Sequence, residues 1–351
     1  MYRQFKKGKE KHNMKNNNSL TNNIRNFRHG TEPLVRPIED LNILPGIPGN
    51  SWFWVGHFES EGHILNFMYH VSVLQFSQYV PVKMINSVLS ITDETGKIYR
   101  HEDRFYRAKK GQVASKGLSI RCDKDYVVGD LDTMTIKAEM EHGSIAFTIH
   151  GKGYPLLNLG TGYFQLAGVI NSQYSLPTLE SEGTITLDGK RYPVKGNIWL
   201  DRQFARPQKG MSLKDGYNCK WIWMNLQFDQ SEDVISLWGV MELATEKEYC
   251  WATVLHPNGT QASAGVNPMM EDASEVWISP LTKMKYPTRW KVQIPEWDAA
   301  LDVKSVMDEQ EIVAGDPAGR KYEGASRFAG MYKGKEVTGY CCLELVGGWD
   351  K

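Results

Sequence analysis

The sequence lacks the features that mark a secreted or membrane-spanning protein. No stretch of its 351 residues approaches the run of about 18 apolar residues that a transmembrane helix needs. The basic N-terminus continues into an Asn-rich stretch instead of an apolar one, so the pattern of a secretory signal is absent. The five cysteines are scattered without Cys-x-x-Cys spacing, which is typical of reduced thiols. We therefore expect a cytoplasmic protein.

A net charge is also lacking, because 41 Lys and Arg balance 41 Asp and Glu. No overall field therefore attracts nucleic acid or an anionic membrane, and we expect neither as a partner. The charge is unevenly spread, however: residues 1–30 carry eight basic side chains and one acidic one. We predict that residues 1–30 form a disordered basic tail, for which an RNA-binding arm is an alternative to a merely solvated segment.

Motifs for metals and nucleotide cofactors are lacking as well. His57, His63 and His70 do not share a metal-ligand spacing with nearby carboxylates. A G-x-S-x-G nucleophile turn, a P-loop and a dinucleotide-binding glycine loop are all absent from the sequence. We therefore expect an activity that needs neither a metal nor a cofactor.

Long stretches of helical periodicity are missing, and strand patterns take their place. From Trp52 onward, segments rich in β-branched and aromatic residues alternate with turn signals, of which Asp188-Gly189 is typical of a two-residue hairpin. The 32 glycines and 15 prolines suit many tight turns. We predict an all-β fold with two domains, over residues 31–180 and 181–351.

The stretch from Tyr174 to Phe204 carries an ordered set of motifs: Y-S-L-P, the hairpin G-T-I-T-L-D-G, and G-N-I-W-L-D-R-Q-F. It resembles the central signature of the carotenoid hydratase (hydroxyneurosporene synthase) superfamily, which includes the lipocalin-like Diels–Alderases. Further segments match in the same order: Trp52–Phe58, Lys220–Phe228, Trp277–Pro280, Tyr286–Trp290 and Tyr322–Gly324. The resemblance implies two lipocalin-like β-barrel or β-sandwich domains with a hydrophobic cavity near their junction.

The sequence departs from the superfamily pattern at positions that bear on chemistry. Arg202 replaces the His of the D-H-E-W form, and Thr178 replaces the Arg that follows Tyr-Ser-x-Pro. Asn50 and Ser51 stand where many members have Glu and Trp. A hydratase mechanism that uses the missing His therefore does not transfer to this chain.

Alternation along Lys220–Phe228 divides this segment into two faces. One face is purely apolar and is predicted to lie in a core. The other face is predicted to bind substrate and carries Trp221, Trp223, Asn225 and Gln227. Two indoles and two amides suit an apolar cavity with a few directing polar groups. A second packing layer of Trp–Trp contacts is the alternative.

The preceding segment places Trp199, Asp201 and Gln203 on one face. If Asp201 shares a cavity with the tryptophans, burial raises its pKa above the usual value of about 3.9. A carboxylic acid that stays protonated near neutrality is able to donate a proton to an alkene or a carbonyl, and indole faces stabilise the resulting cation. A structural ion pair of Asp201 with Arg202 or Arg206 is the alternative.

Further site residues are predicted with simpler alternatives beside them. Tyr174 is a candidate catalytic hydrogen-bond donor to a ligand carbonyl or a tyrosine at the rim of the core, and Gln203 is a second candidate donor. Trp52 and Trp54 are predicted to contact the substrate. His57, opposite in phase to these two, is a candidate base or an ordinary hydrogen-bonded histidine.

Three functions fit these residues. The first is a cofactor-independent enzyme that hydrates, isomerises or cyclises an isoprenoid or polyketide polyene, with Asp201 as the acid. The second is a pericyclase of the Diels–Alder type, which orients a polyene and needs no acid. The third is a lipocalin-type carrier that binds an apolar molecule without changing it. In each case the expected partner is a hydrophobic small molecule.

Overall fold

The computed structural model describes residues 19–26, 34–75, 82–114, 117–166, 169–206, 218–314 and 320–349. Antiparallel strands dominate these ranges, which confirms the predicted all-β fold. The short helices α1 (Leu20–Asn26) and α2 (Pro37–Asp40) precede the strands. None of the helices in these ranges has the length and hydrophobicity to span a bilayer.

The first sheet curls into a nearly closed barrel. Its twelve strands are β1 (Gly49–Ser60), β2 (His63–Leu74), β3 (Met84–Asp93), β4 (Ile98–Arg107), β5 (Leu118–Cys122), β6 (Asp125–Gly129), β7 (Thr133–Met140), β8 (Gly143–His150), β9 (Leu156–Leu157), β10 (Tyr163–Leu166), β11 (Val169–Leu187) and β12 (Lys190–Arg206). Their order is β4-β3-β2-β1-β12-β11-β8-β7-β6-β5, with β9 and β10 beside β11. Asp188 and Gly189 both have positive φ in the turn that joins β11 to β12, as the predicted hairpin requires.

The second sheet contains the ten strands that follow. They are β13 (Cys219–Phe228), β14 (Val234–Glu242), β15 (Lys247–Leu255), β16 (Gln261–Gly265), β17 (Ser274–Ile278), β18 (Lys285–Ile294), β19 (Ala299–Ser305), β20 (Glu311–Ile312), β21 (Lys321–Tyr332) and β22 (Lys335–Gly347). Their order is β16-β15-β14-β13-β22-β21-β19-β18-β17, with β20 beside β21. Each sheet buries its own apolar core, and Ile222, Met224 and Leu226 lie in the second core, as alternation predicts.

A third group of buried side chains fills the junction between the two sheets. Strands β1 and β12 of the first sheet pack there against β13 and β14 of the second. The Trp223 ring lies 5.6 Å from the Phe53 ring and 6.2 Å from the Trp199 ring, measured between centroids. Both contacts are edge-to-face, the arrangement that aromatic pairs favour. The two β units therefore meet through an aromatic interface, as the predicted fold requires.

The change from one sheet to the other lies later in the chain than the predicted domain division. Residues 180 and 181 fall inside β11, a strand of the first sheet. The chain passes to the second sheet only between Arg206 and Cys219. The domain limits stay a prediction, and we propose that the division falls in this later interval.

Helix α1 falls within the predicted disordered tail. Leu20 is fully buried in the first core, and Asn23 Nδ2 donates to the Gly153 carbonyl over 2.7 Å. An apolar anchor and a polar contact thus order a segment whose composition alone suggests disorder. Residues 1–18 and 27–30, the rest of the predicted tail, lie outside the described residues.

Arg202 fastens the segment before β1 to the first barrel. Its side chain is fully buried, and the guanidinium lies 4.2 Å from the centroid of the Trp52 ring. Its N–H groups donate to oxygens of Asp40, Asn42, Asn50, Ser51 and Gln203. Burial lowers the pKa of Arg202 to about 10, so the group stays charged at neutral pH. Because Arg carries five N–H groups in a planar fork, this one side chain matches all five oxygens.

Replacing Arg202 with Lys is expected to lower the free energy of unfolding by about 2–5 kcal/mol. Lys offers three donors and leaves at least two of the five oxygens without a partner. Chemical denaturation measures the loss, and limited proteolysis before β1 reports release of the segment. Arg100→Lys is the control, since Arg100 forms a partly exposed ion pair with Asp188. Equal stability of the two variants would contradict this account.

Candidate functional site

A small cavity lies at the junction of the two sheets, beside Asp201. It holds about 40 Å³, which is space for about three water molecules. Nine residues line it: Ser51, Phe53, His70, Gln173, Asp201, Gln203, Trp223, Trp238 and Glu344. The cavity therefore combines an aromatic wall with two carboxyl groups and several neutral polar groups.

Strand register explains why these side chains meet. In the first sheet, Asp201, Phe53 and His70 are direct neighbours across β12, β1 and β2. A matching row crosses β22, β13 and β14 of the second sheet and consists of Glu344, Trp223 and Trp238. Neighbouring strands lie about 5 Å apart, so each row spans about 10 Å. The two rows form opposite walls of the cavity.

Asp201 is buried, and two strong hydrogen bonds hold its carboxyl group. Trp199 Nε1 donates to Oδ1 and Gln173 Nε2 donates to Oδ2, each over 2.6 Å. Burial raises the pKa of Asp201 to about 7, although the hydrogen bonds from Ser175, Trp199 and Gln173 oppose this shift. A carboxyl group with such a pKa is able both to give and to take a proton near neutrality.

His70 is the middle member of a polar chain that ends at the cavity. Lys321 Nζ donates to His70 Nδ1 over 3.3 Å, and Lys321 also pairs with Glu323. Since an ammonium group only donates, the neutral ring carries its proton on Nε2, which lies 2.7 Å from Ser51 Oγ. Burial and the positive Lys321 keep the pKa of His70 well below its usual range. Ser72 Oγ also lies 3.1 Å from Nε2, but Ser51 is the nearer acceptor, so Ser51 accepts from His70 and its own hydroxyl proton is available to the cavity.

Glu344 supplies the second carboxyl group of the cavity and was not among the predicted site residues. Trp221 Nε1 donates to Glu344 Oε1 over 2.9 Å, and the charge of Glu344 contributes to the raised pKa of Asp201. The sequence signal for Glu344 is the alternation of side chains along β22. Glu344 shares a face with Tyr340, whose ring stacks on His57 of the first sheet. Within the described ranges, no three His, Cys, Asp or Glu side chains are grouped so as to hold a metal ion.

Five of the predicted site residues meet at this cavity. Asp201, Gln203 and Trp223 line it, while the indoles of Trp199 and Trp221 bind its two carboxyl groups. Successive side chains of β12 point to opposite faces, so Asp201 makes no ion pair with the arginine that follows it. The side chain at position 206, the other predicted ion-pair partner, lies outside the described residues.

Three other predicted residues, His57, Asn225 and Gln227, line a neighbouring cavity at the same junction. His57 Nδ1 lies 2.7 Å from Asn66 Oδ1, and the imidazole stacks on the Tyr340 ring with centroids 4.1 Å apart. Burial lowers the pKa of His57 below its usual value. His57 is therefore a hydrogen-bonded histidine in contact with the second sheet, which matches the simpler of its two predicted roles.

Tyr174, Trp52 and Trp54 point away from both cavities. All three are fully buried in the core of the first barrel. Tyr174 OH donates to the Pro37 carbonyl over 3.2 Å, and Trp52 Nε1 donates to the Leu41 carbonyl over 2.8 Å. These placements give the side chains a packing role and do not support the predicted contact with substrate. Strand β1 is buried on both faces, so polarity alone does not reveal which face meets the junction.

Most of the chain matches one protein family. The sequence model described as AttH-like matches residues 33–348. The chain belongs to the AttH-like family. It is 27% identical over 321 residues to dehydratase asqC of Emericella nidulans, a match that covers 86% of this chain and 82% of that protein. The relationship confirms the superfamily resemblance predicted from the motifs.

Two crystal structures share the fold of this AttH-like chain. Kievitone hydratase from Nectria haematococca has a TM-score of 0.75 at 19% identity, with 92% of this chain and 98% of that chain covered. An AttH protein from Nitrosomonas europaea also has a TM-score of 0.75, at 21% identity, with 90% and 97% covered. Both structures therefore support the two-sheet architecture described above.

The pKa of Asp201 predicts how stability depends on pH. Because burial raises this pKa from 3.8 to about 7, the folded state holds the proton more tightly than the unfolded chain does. The contribution to stability is complete below about pH 4 and is lost as the pH rises to about 7, a change on the order of 4 kcal/mol. Asp201→Asn removes this dependence.

Urea denaturation of wild type and Asp201→Asn at several pH values measures the effect. The pH dependence of the other groups cancels in the difference between the two proteins. This difference in the free energy of unfolding is expected to move in favour of the variant between about pH 4 and about pH 7 and then to level off. A difference that is the same at every pH would show that the pKa of Asp201 is not raised.

Proposed function

We propose that this AttH-like protein is a hydratase or dehydratase that adds water to, or removes it from, an apolar unsaturated small molecule without a cofactor. The observation that carries the proposal is Asp201, a buried carboxyl group with a pKa of about 7 in the wall of a cavity that has space for a few water molecules. The names of two relatives, dehydratase asqC and kievitone hydratase, support the same class of reaction.

Hydration begins with proton transfer from Asp201. The alkene π electron pair takes this proton and forms a new C–H bond, which leaves positive charge on the other carbon. The indoles of Trp223 and Trp238 line the cavity there, and their π-faces stabilise a cation. A water molecule then forms the C–O bond, and Glu344 takes its extra proton. Dehydration follows the same steps in reverse, with Glu344 protonating the hydroxyl group.

The surrounding hydrogen bonds prepare both carboxyl groups for these transfers. Trp199 and Gln173 fix Asp201, and Trp221 fixes Glu344, so neither carboxyl group has to turn before it reacts. The hydroxyl group of Ser51, which accepts from His70 and keeps its own proton, is placed to bind the attacking water. After the alcohol leaves, water in the cavity carries the proton from Glu344 back to Asp201, so water and the two carboxyl groups complete the cycle.

An isoprenoid or polyketide polyene is the proposed class of substrate. The aromatic wall suits an unsaturated apolar chain. A cavity of about 40 Å³ accepts water but not a whole polyene. We therefore infer that substrate binding separates the side chains that meet across the junction, chiefly Phe53 and Trp223.

Replacement of either carboxyl group is expected to abolish most of the turnover. Asp201→Asn and Glu344→Gln each remove one proton-transfer group, which lowers kcat by about 10²–10⁴-fold. The matched control is Glu336→Gln, because Glu336 lies at the exposed end of the same strand as Glu344. The rate of hydration is also expected to fall as the pH rises through about 7, since Asp201 loses its proton there. Full activity of Asp201→Asn would overturn the proposed acid.

Isotope labelling detects the reaction even when the substrate is one compound in a mixture. Purified protein is incubated in H₂¹⁸O with a metabolite extract of the organism that makes it, and mass spectrometry records every compound that changes. A product that gains one labelled water supports hydration, and loss of one water supports dehydration. An isomeric product without label would identify a pericyclase instead. A ligand that stays bound and unchanged would identify a carrier.

A further inference from the structure

Four tryptophan indoles surround the catalytic cavity, and three of their N–H groups are hydrogen-bonded. Trp199 donates to Asp201, Trp221 donates to Glu344, and Trp223 donates to Ser236. The fourth N–H group, Trp238 Nε1, has no hydrogen-bond partner among the described residues, and Trp238 is buried, with only 2% of its surface exposed. Buried donors without a partner are rare in folded proteins, so this one requires an explanation.

The position of Trp238 places its indole in the wall of the cavity that contains Asp201. Trp238 lines the cavity together with Asp201, and its direct neighbour on the adjacent strand β13 is Trp223. Its indole stacks on Trp251 with an interplanar angle of 8° and centroids 6.0 Å apart, and the Phe164 ring lies 5.0 Å away. Phe164 and Trp251 also contact each other, with ring centroids 5.5 Å apart, so the three rings form one packed cluster that supports the Trp238 indole.

The chemistry of this donor selects the group that it binds. An indole N–H donates and does not accept, so its partner is an acceptor atom of the ligand. A ligand hydroxyl would bring a second donor, which needs an acceptor of its own from the polar side chains of the cavity wall. A carbonyl oxygen brings none. A carbonyl oxygen therefore accepts the hydrogen bond of Trp238 Nε1 without leaving a new polar group unpaired.

We propose that Trp238 Nε1 binds a carbonyl oxygen of the substrate, at a distance from the bond that gains or loses water. The inference rests on the proposed function and narrows its substrate class. A polyketide polyene, which retains carbonyl groups along its chain, satisfies Trp238, whereas a hydrocarbon isoprenoid leaves the donor unpaired. Trp238 is thus a specificity-determining residue, because its hydrogen bond favours the binding of substrates that carry an oxygen which takes no part in the reaction.

A pair of small probes tests this proposal without any turnover. Acetone and 2-methylpropene have nearly the same shape and differ in a C=O group against a C=CH₂ group. The indole N–H resonances of ¹⁵N-tryptophan-labelled protein are recorded during titration with each probe, and Trp238→Phe assigns the Trp238 signal. We expect acetone to move the Trp238 indole N–H resonance downfield, because a hydrogen bond forms. We expect 2-methylpropene to cause no such downfield shift, because it has no acceptor oxygen. Trp223, already bonded to Ser236, provides the internal comparison.

Affinities measured in the variants complete the test. Trp238→Phe is expected to weaken acetone binding about fivefold and to leave the binding of 2-methylpropene unchanged. Trp223→Phe, which removes a donor that is already satisfied, is expected to affect both probes alike. If Trp238→Phe does not fold, the ketone-specific shift in the wild-type protein decides the question. A Trp238 resonance that acetone leaves unmoved up to molar concentration, or that both probes move equally, overturns the proposal.

These outcomes are independent of the test of the proposed function. An unlabelled product would overturn the hydratase assignment, but it would not affect the acetone-specific shift of the Trp238 resonance. An absent shift would leave the proton-transfer roles of Asp201 and Glu344 intact. The two results therefore separate what the site recognises from what it catalyses.

Discussion

Two residues of opposite charge are adjacent on β12, and the alternation of the strand keeps them on opposite faces. Asp201 points to the junction between the sheets, and Arg202 points into the first barrel. A shift of one residue in register would place the guanidinium in the aromatic junction and the carboxyl group in the barrel core. The register that lets Arg202 hold the barrel together is therefore the register that delivers Asp201 to the cavity.

Asp201 belongs to the first sheet, and side chains of the second sheet contribute to its raised pKa. Trp199 and Gln173, both of the first sheet, donate to Asp201 and on their own would lower its pKa. Trp223 and Trp238 of the second sheet line the opposite wall, and burial outweighs the hydrogen bonds in setting the pKa of Asp201. A pKa near neutrality is thus the balance of two contributions, one from each sheet. The proposed role of Asp201 as a proton donor therefore depends on the contact between the two sheets.

Strand alternation predicted the faces of β12 and β13 because one face of each segment is mixed in polarity, as with Trp223 and Asn225. In β1 both faces are buried, so polarity does not distinguish them, and Trp52 lies in the barrel core. For Tyr174 the sequence leaves two roles open for a related reason, since a core tyrosine and a ligand-binding tyrosine look alike in sequence. Glu344 was not among the predicted site residues, because its position at the cavity comes from contact with the other sheet, which only the folded chain creates.

The arrangement of the two carboxyl groups has a consequence for the direction of the reaction. An acid whose pKa lies near the working pH gives and takes a proton with similar ease, and Asp201 and Glu344 exchange roles when the reaction reverses. In the proposed mechanism, hydration and dehydration are the same steps in opposite directions, so both pass through one transition state and the cavity accelerates both. The net direction then follows from the free energies of the alcohol and the alkene, and from whether the space beside the bound substrate retains a water molecule. One AttH-like architecture is for this reason compatible with relatives named for opposite reactions.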